Sequence, residues 1–157
     1  MAERLNALPL SVFPHVVDTQ LQWADSDVYG HLNNVAYLAY FDTALNLALI
    51  EHGALDIAPD GAGLIGLVAR SEAQYFAEVT FPARLRIGVR VEAIGRTSLI
   101  WGFGLFAREK PLCAARGTFV HVYVDRRTRR PQPLSPPLLA CARALFTDPA
   151  TDPVPVP

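Results

Sequence analysis

The chain has 157 residues, 51% of them hydrophobic, enough for one domain with a substantial core. Its formal net charge is −1, and its arginines are mixed with acids, which excludes the broad basic field that nucleic acid demands. Two cysteines with no CxxC spacing and four histidines with no HxxxH or Cys/His pattern point to reduced core thiols and to no metal site.

The opening residues, MAERLNALPLSVF, lack the cationic start and unbroken apolar core of a secretory signal, so a cytoplasmic protein is expected. Residues 1–14 read as a loose lead-in ending at Pro14. From Val16 to Trp23 the pattern alternates, with Val17, Thr19, Leu21 and Trp23 on one side, which predicts a half-buried strand. A polar loop follows, carrying Asp25, Asp27, Gly30, His31, Asn33 and Asn34, and it runs straight into an apolar segment that ends before Gly53. That segment reads as a helix, with Asn33 as N-cap and Gly53 as the left-handed residue beyond its end.

Val35, Tyr37, Leu38, Tyr40, Phe41, Leu45, Leu47, Leu49 and Ile50 cover nearly every side of this helix. A surface helix shows a single stripe, so this one is expected to be wrapped. Asp42 and Asn46, four residues apart, share a face. They also exclude a membrane span, because they would lie near mid-bilayer.

After a loop over residues 54–63, marked by Pro59, Asp60, Gly61 and Gly63, four more strands are expected. In the first, Leu67, Ala69, Ser71, Ala73 and Tyr75 alternate with Arg70, Glu72 and Gln74. In the second, Leu85, Ile87, Val89, Val91 and Ala93 alternate with Arg86, Arg90 and Glu92. The third puts Leu99, Trp101, Phe103 and Leu105 inside, while Gly102 and Gly104 leave the other side open to close approach. The last, Leu112 to Val124, alternates less cleanly. Gly95-Arg96 is a hairpin turn and Arg108 to Pro111 a looser one.

Short connections make these strands antiparallel. The predicted fold is therefore α+β, an antiparallel sheet of about five strands curled around one long helix, apolar on the helix side and polar on the other. A charged, proline-rich turn from Asp125 to Pro137 leads to a short helix ending near Phe146. Residues 1–147 are read as one domain and residues 148–157 as a proline-rich flexible tail.

Asp27 lies a few residues ahead of a helix N-terminus, where free N–H groups and the positive end of the dipole converge. Such donors polarise a carbonyl, and a carboxylate beside them can act as nucleophile or as general base on water. That combination suits hydrolysis of an activated acyl group. The alternative for such an aspartate is a plain cap or turn former.

The string WADSDVYGHLNNVAY, Trp23 to Tyr37, closely resembles the signature loop of hot-dog-fold thioesterases of the 4-hydroxybenzoyl-CoA thioesterase type. Arg70 to Ile87, with Tyr75 and FPARL at Phe81 to Leu85, is similar to the same family, as is IGRTS at Ile94 to Ser98. The resemblance spans Val16 to Pro133 and implies a curved antiparallel sheet around a central helix. It also implies an acyl-CoA thioesterase without metal or redox cofactor, working as a homodimer or a dimer of dimers.

Carried over by position, the resemblance makes Asp27 the catalytic carboxylate and the backbone N–H of Asn34 the donor to the thioester carbonyl. Gly30 then lets the loop turn beside the substrate. The matching loop of plant acyl-carrier-protein thioesterases keeps His31 and Asn33 in play, each against a structural alternative: a neutral, backbone-bonded histidine and a helix cap. Tyr37 is either core or part of an acyl pocket. Arg96 matches the nucleotide-contacting hairpin, and Arg126, Arg127, Arg129 and Arg130 are a second candidate for phosphate. Other readings are a hot-dog hydratase or dehydratase using His31 and Asp42, a thioesterase for acyl-carrier protein, and a non-catalytic acyl-CoA-binding module.

Overall fold

The computed structural model of the chain describes residues 6–55 and 63–153. The expected loop at residues 54–63 falls mostly outside them, as do residues 1–5 and 154–157. Five strands form one antiparallel sheet: β1 (His15–Gln20), β2 (Leu64–Tyr75), β3 (Arg84–Ile94), β4 (Ser98–Ala107) and β5 (Ala115–Asp125). Their order across the sheet is β1-β3-β4-β5-β2. The helix α1 (Ala36–Glu51) packs on the concave face, and α2 (Pro136–Ala144) closes one end. This is the hot-dog arrangement that patterning and resemblance both implied.

The concave core forms as the alternation predicts. Leu85, Ile87, Val89 and Val91 of β3 and Leu99, Trp101, Phe103 and Leu105 of β4 are all buried. They meet Tyr37, Phe41, Ala44, Leu45, Ala48 and Leu49 of α1. On β5 the inward residues are Ala115, Gly117, Phe119, His121 and Tyr123, and the Phe41 ring lies where a Cβ on Gly117 would stand. The helix ends as its sequence dictates. Gly53 has φ +66, its N–H donates to Ile50 O, and Ala54 N–H donates to Leu49 O at 2.8 Å, a Schellman closure.

Several expectations need correction. The helix begins at Ala36, so the Asn33 side chain does not cap its first turn; Asn33 Oδ1 accepts from Val35 N–H at 3.3 Å, two residues on, an Asx turn that leads into the helix. The helix is also not wrapped within one chain, since Leu47 and Ile50 remain exposed. The first strand stops at Gln20, and Trp23, in the following turn, is 74% exposed with its ring edge-on to Phe81. On β2 a bulge between Val68 and Arg70 shifts the register, so Val68, paired with His121, faces inward in place of Leu67 and Ala69. One extra residue flips every side chain beyond it.

The convex face is not simply polar either. Phe13 lies over Gly88 and Gly104, where a Cβ on either would collide with its ring, and meets Phe106 edge-on at 5.9 Å. With Leu8 and Cys113 it forms a second small core, so residues 6–14 are not a loose lead-in. The close approach at Gly102 and Gly104 is therefore made by the side chains of Glu92 and Phe13, not by another backbone.

Beside this second core Arg90 is fully buried. It donates to Asp152 Oδ1 and Oδ2 and to Glu92 Oε1, while Arg116 stands within 3.6 Å of Asp152. Burial opposes the charge of Arg90, but the bonds to Asp152 and Glu92 outweigh it and hold the guanidinium pKa above its usual value. The segment from Asp148 to Pro153 is consequently anchored and includes a short turn of helix, contrary to the flexible tail expected there.

Candidate functional site

The loop between β1 and α1 is shaped by its own backbone. Asp27 N–H donates to His31 O at 2.9 Å, and Gly30, at φ +80, donates its N–H back to Asp27 O. A side chain at that φ would strain the turn. Leu32 N–H donates to Val79 O at 2.7 Å, tying the loop to the segment that joins β2 to β3. Asp25 accepts from the Tyr40 hydroxyl at 2.7 Å, so a residue of α1 clamps the start of the loop. Burial and this bond push the Tyr40 pKa up to about 12.

Within that frame Asp27 Oδ1 accepts from Tyr29 N–H at 2.9 Å and His31 N–H at 3.3 Å. Its Oδ2 has no partner among the described residues. Asn34 C=O accepts from the Tyr75 hydroxyl at 3.0 Å, whereas no described residue accepts from Asn34 N–H. A cleft of about 360 Å³ brings these groups together, lined by Asp27, His31, Leu32, Asn34, Tyr37, Tyr75, Phe76, Ala77 and Glu78. Asp27, with one carboxylate oxygen unpartnered among the described residues, and Asn34, two residues ahead of α1, thus line one space.

His31 stands 3.2 Å from Glu78 through Nε2. Glu78 and Tyr75 were missed as site residues by sequence reasoning. Tyr75 sits in a β-alternation, and Glu78 is an isolated acid between motifs. Tyr37 is buried, with its ring 5.0 Å from that of Tyr75. Burial, then the neighbouring Tyr75, pushes its pKa up to about 12, so both rings present neutral hydroxyls.

The structure does not gather every candidate. Arg96 lies in the turn between β3 and β4, while the cleft adjoins the opposite ends of these strands. Arg126 to Arg130 follow the far end of β5, in a turn held by Asp125, which accepts from the N–H groups of Arg127 and Thr128. These bonds lower the Asp125 pKa. His31 and Asp42 are not paired: His31 meets Glu78, and Asp42 bears electrostatically on His121. Among the described residues no cluster of three metal-ligating side chains exists, and no helix is long and apolar enough to cross a membrane.

Residues 21–141 match the family model of the thioesterase-like superfamily. None of the curated proteins is significantly similar to the chain. Among solved structures, PA5185 of Pseudomonas aeruginosa PAO1 is 41% identical over 90% of this chain and 98% of its own, with a TM-score of 0.85. A Thermus thermophilus thioesterase complexed with coenzyme A and Zn is 27% identical over 85% and 95%, with a TM-score of 0.68. The 1,4-dihydroxy-2-naphthoyl-CoA thioesterase Slr0204 of Synechocystis is 18% identical over 82% and 94%, with a TM-score of 0.71; at that identity the likeness is one of fold. On the match across the loop, the helix and all but the first strand of the sheet, the chain belongs to the thioesterase-like superfamily.

Proposed function

We propose that the protein is an acyl-CoA thioesterase whose cleft hydrolyses the thioester to a free acid and coenzyme A. The observation that supports this reading is that Asp27, oriented through one carboxylate oxygen, and Asn34, whose N–H no described residue accepts, line one cleft. The thioester carbonyl accepts from that N–H at the positive end of α1, which stabilises the oxyanion formed on attack.

By one route Asp27 takes a proton from water as the water oxygen bonds to the acyl carbon. The C–S bond then breaks, and the proton passes to the departing thiolate. By the other, Asp27 attacks the acyl carbon, the C–S bond breaks to release the thiolate, which takes up a proton, and water hydrolyses the resulting mixed anhydride at its aspartyl carbon. A single turnover in ¹⁸O-labelled water that leaves label in Asp27 establishes the second route, because the general-base route puts label in the released acid alone. His31 and its partner Glu78 border the cleft and position the loop, Gly30 gives it its turn, and Asn33 holds the step into the helix. Tyr37 and Tyr75 line the acyl side.

The protein is further read as a homodimer or a dimer of dimers. Support comes from the long edge strand β2, with Leu67 and Val68 exposed, and from Val28, Tyr29 and Val35 exposed around the cleft. Exposed apolar side chains on an edge strand and beside a cleft are surfaces that a second copy can cover.

The test is thiol release from aromatic and aliphatic acyl-CoAs by wild type beside Asp27→Asn. The variant is expected to lower kcat by on the order of 10²–10⁴ with the fold intact. Near-normal turnover in the variant would remove Asp27 from the mechanism. The absence of release by wild type would remove the hydrolytic reading.

A further inference from the structure

Most backbone groups of the step from Asn33 into α1 are already partnered. Asn33 N–H donates to Asp25 O at 2.8 Å, and Asn33 C=O accepts from Ala36 N–H at 2.9 Å. Val35 N–H donates to Asn33 Oδ1 at 3.3 Å, and Asn34 C=O accepts from the Tyr75 hydroxyl at 3.0 Å. Between them Asn34 N–H is left with no acceptor among the described residues. All of these bonds except the one from Tyr75 are made within the loop and the first residue of the helix.

That exception comes from the sheet. Asn34 stands two residues ahead of α1, where regular helical bonds do not yet set the backbone. Tyr75 is anchored by contrast. It ends β2 in register with Ala115, and the N–H groups of Phe76 and Ala77 that follow both donate to Ala114 O, at 2.7 and 3.2 Å. Its ring lies edge-on to the buried ring of Tyr37. Burial raises the Tyr75 pKa, so the hydroxyl keeps the proton that it donates. A phenylalanine would serve the same ring contact; the hydroxyl is spent on Asn34.

Resting on the thioesterase reading, we infer that Tyr75 is a positioning residue, whose hydroxyl pins the Asn34–Val35 peptide from the sheet and so holds the Asn34 N–H in place for the thioester carbonyl. That peptide is gripped at both ends, by Tyr75 at its oxygen and by Asn33 Oδ1 at its N–H. The preceding peptide, which carries the Asn34 N–H, has its own oxygen bonded to Ala36 N–H, and such a bond makes the N–H a stronger donor. Donors to a developing oxyanion act by being in place before the reaction, and a shift of about 1 Å costs on the order of a hundredfold. The hydroxyl acts on the reaction only through Asn34.

Tyr75→Phe removes the hydroxyl and keeps the ring against Tyr37. With the acyl-CoA that wild type hydrolyses fastest, kcat should fall by on the order of 10–100-fold while KM stays within about twofold. The circular dichroism spectrum should match wild type. In ¹⁵N–¹H spectra without ligand, the Asn34 amide signal should broaden or split, along with that of Val35, which shares the peptide that loses the bond.

Wild-type turnover in Tyr75→Phe overturns the inference. So does a raised KM with kcat unchanged, which would make the hydroxyl a substrate-binding group, and so does a change confined to the Val35 signal. If wild type releases no thiol from any acyl-CoA, the hydrolytic reading falls by itself. The Asn34 signal then decides alone: broadened in Tyr75→Phe, it retains the hold of Tyr75 on this step, and unchanged, it overturns that as well.

Discussion

His121 is a buried base on the concave face, paired in register with Leu99 and Val68 and left with an unpartnered Nε2. Burial lowers its pKa below the usual histidine value, and Asp42 only partly offsets this. A base with a depressed pKa in the folded state binds its proton more readily when unfolded. Stability is therefore fully present above the unfolded value of about 6.5 and declines as pH falls below it toward the folded value. Urea unfolding at pH 7.5 and at pH 5 should show this loss in wild type and a smaller one in His121→Gln; equal losses would clear His121 of the effect.

Residue identity revealed little of this environment, because the β5 alternation was too irregular to assign its facing. The turn of the loop that carries Asp27 was more legible, while the role of Asp27 itself was read from the family resemblance. Gly30 and Asn33 carry turn chemistry that shapes the loop locally, and the bond from Leu32 N–H to Val79 O then ties it to the segment between β2 and β3. Arg90 shows the limit. Its place in the alternation correctly puts it on the convex side, but its burial depends on Asp152, 62 residues away.

At the scale of elements, α1, β4 and β3 as far as Val91 were readable because each carries a period of its own, whereas a bulge beyond Val91 turns Ala93, expected inside, to the outer face opposite Ile100. The start of β2 was not readable, since a bulge leaves no mark in hydrophobicity, although Ser71, Ala73 and Tyr75 beyond it face inward as read. The convex cover was missed for another reason: a short stretch ending in Phe13 has no period at all. Its role follows from the glycines beneath it. With Gly88 and Gly104 offering no side chains, the ring of Phe13 supplies the apolar mass at that spot, and the Arg90 guanidinium lies 5.5 Å from its centroid. Phe13→Ala is expected to cost about 3–5 kcal/mol in chemical denaturation. A cost below about 1 kcal/mol would mean that the strap is not part of the folded core.

For the whole molecule, the decisive feature is what one chain leaves open. The inward face of β2 holds Val68, 52% exposed, and α1 shows Leu47 and Ile50 to solvent, so the wrapping anticipated from the helix sequence is incomplete. A second copy is the proposed cover. Sedimentation should give at least twice the 17.2 kDa of one chain, and Val68→Lys should shift the protein toward monomer while reducing thiol release. A wild type that sediments as a monomer at micromolar concentration would discard the homodimer, and the exposed surface would then need another occupant.

Arg116 donates from Nη1 to Asn6 O at 3.1 Å, and its Nη2 stands 3.6 Å from Asp152. The two arms of the chain therefore converge on one guanidinium, on the side of the sheet away from α1. A short peptide joining them would let the chain be reopened elsewhere, for example at the Gly95 turn, giving a circular permutant with the same sheet. Strand order along the gene is thus separable from strand order in space, and the Asp27 loop would pass through such a rearrangement uncut.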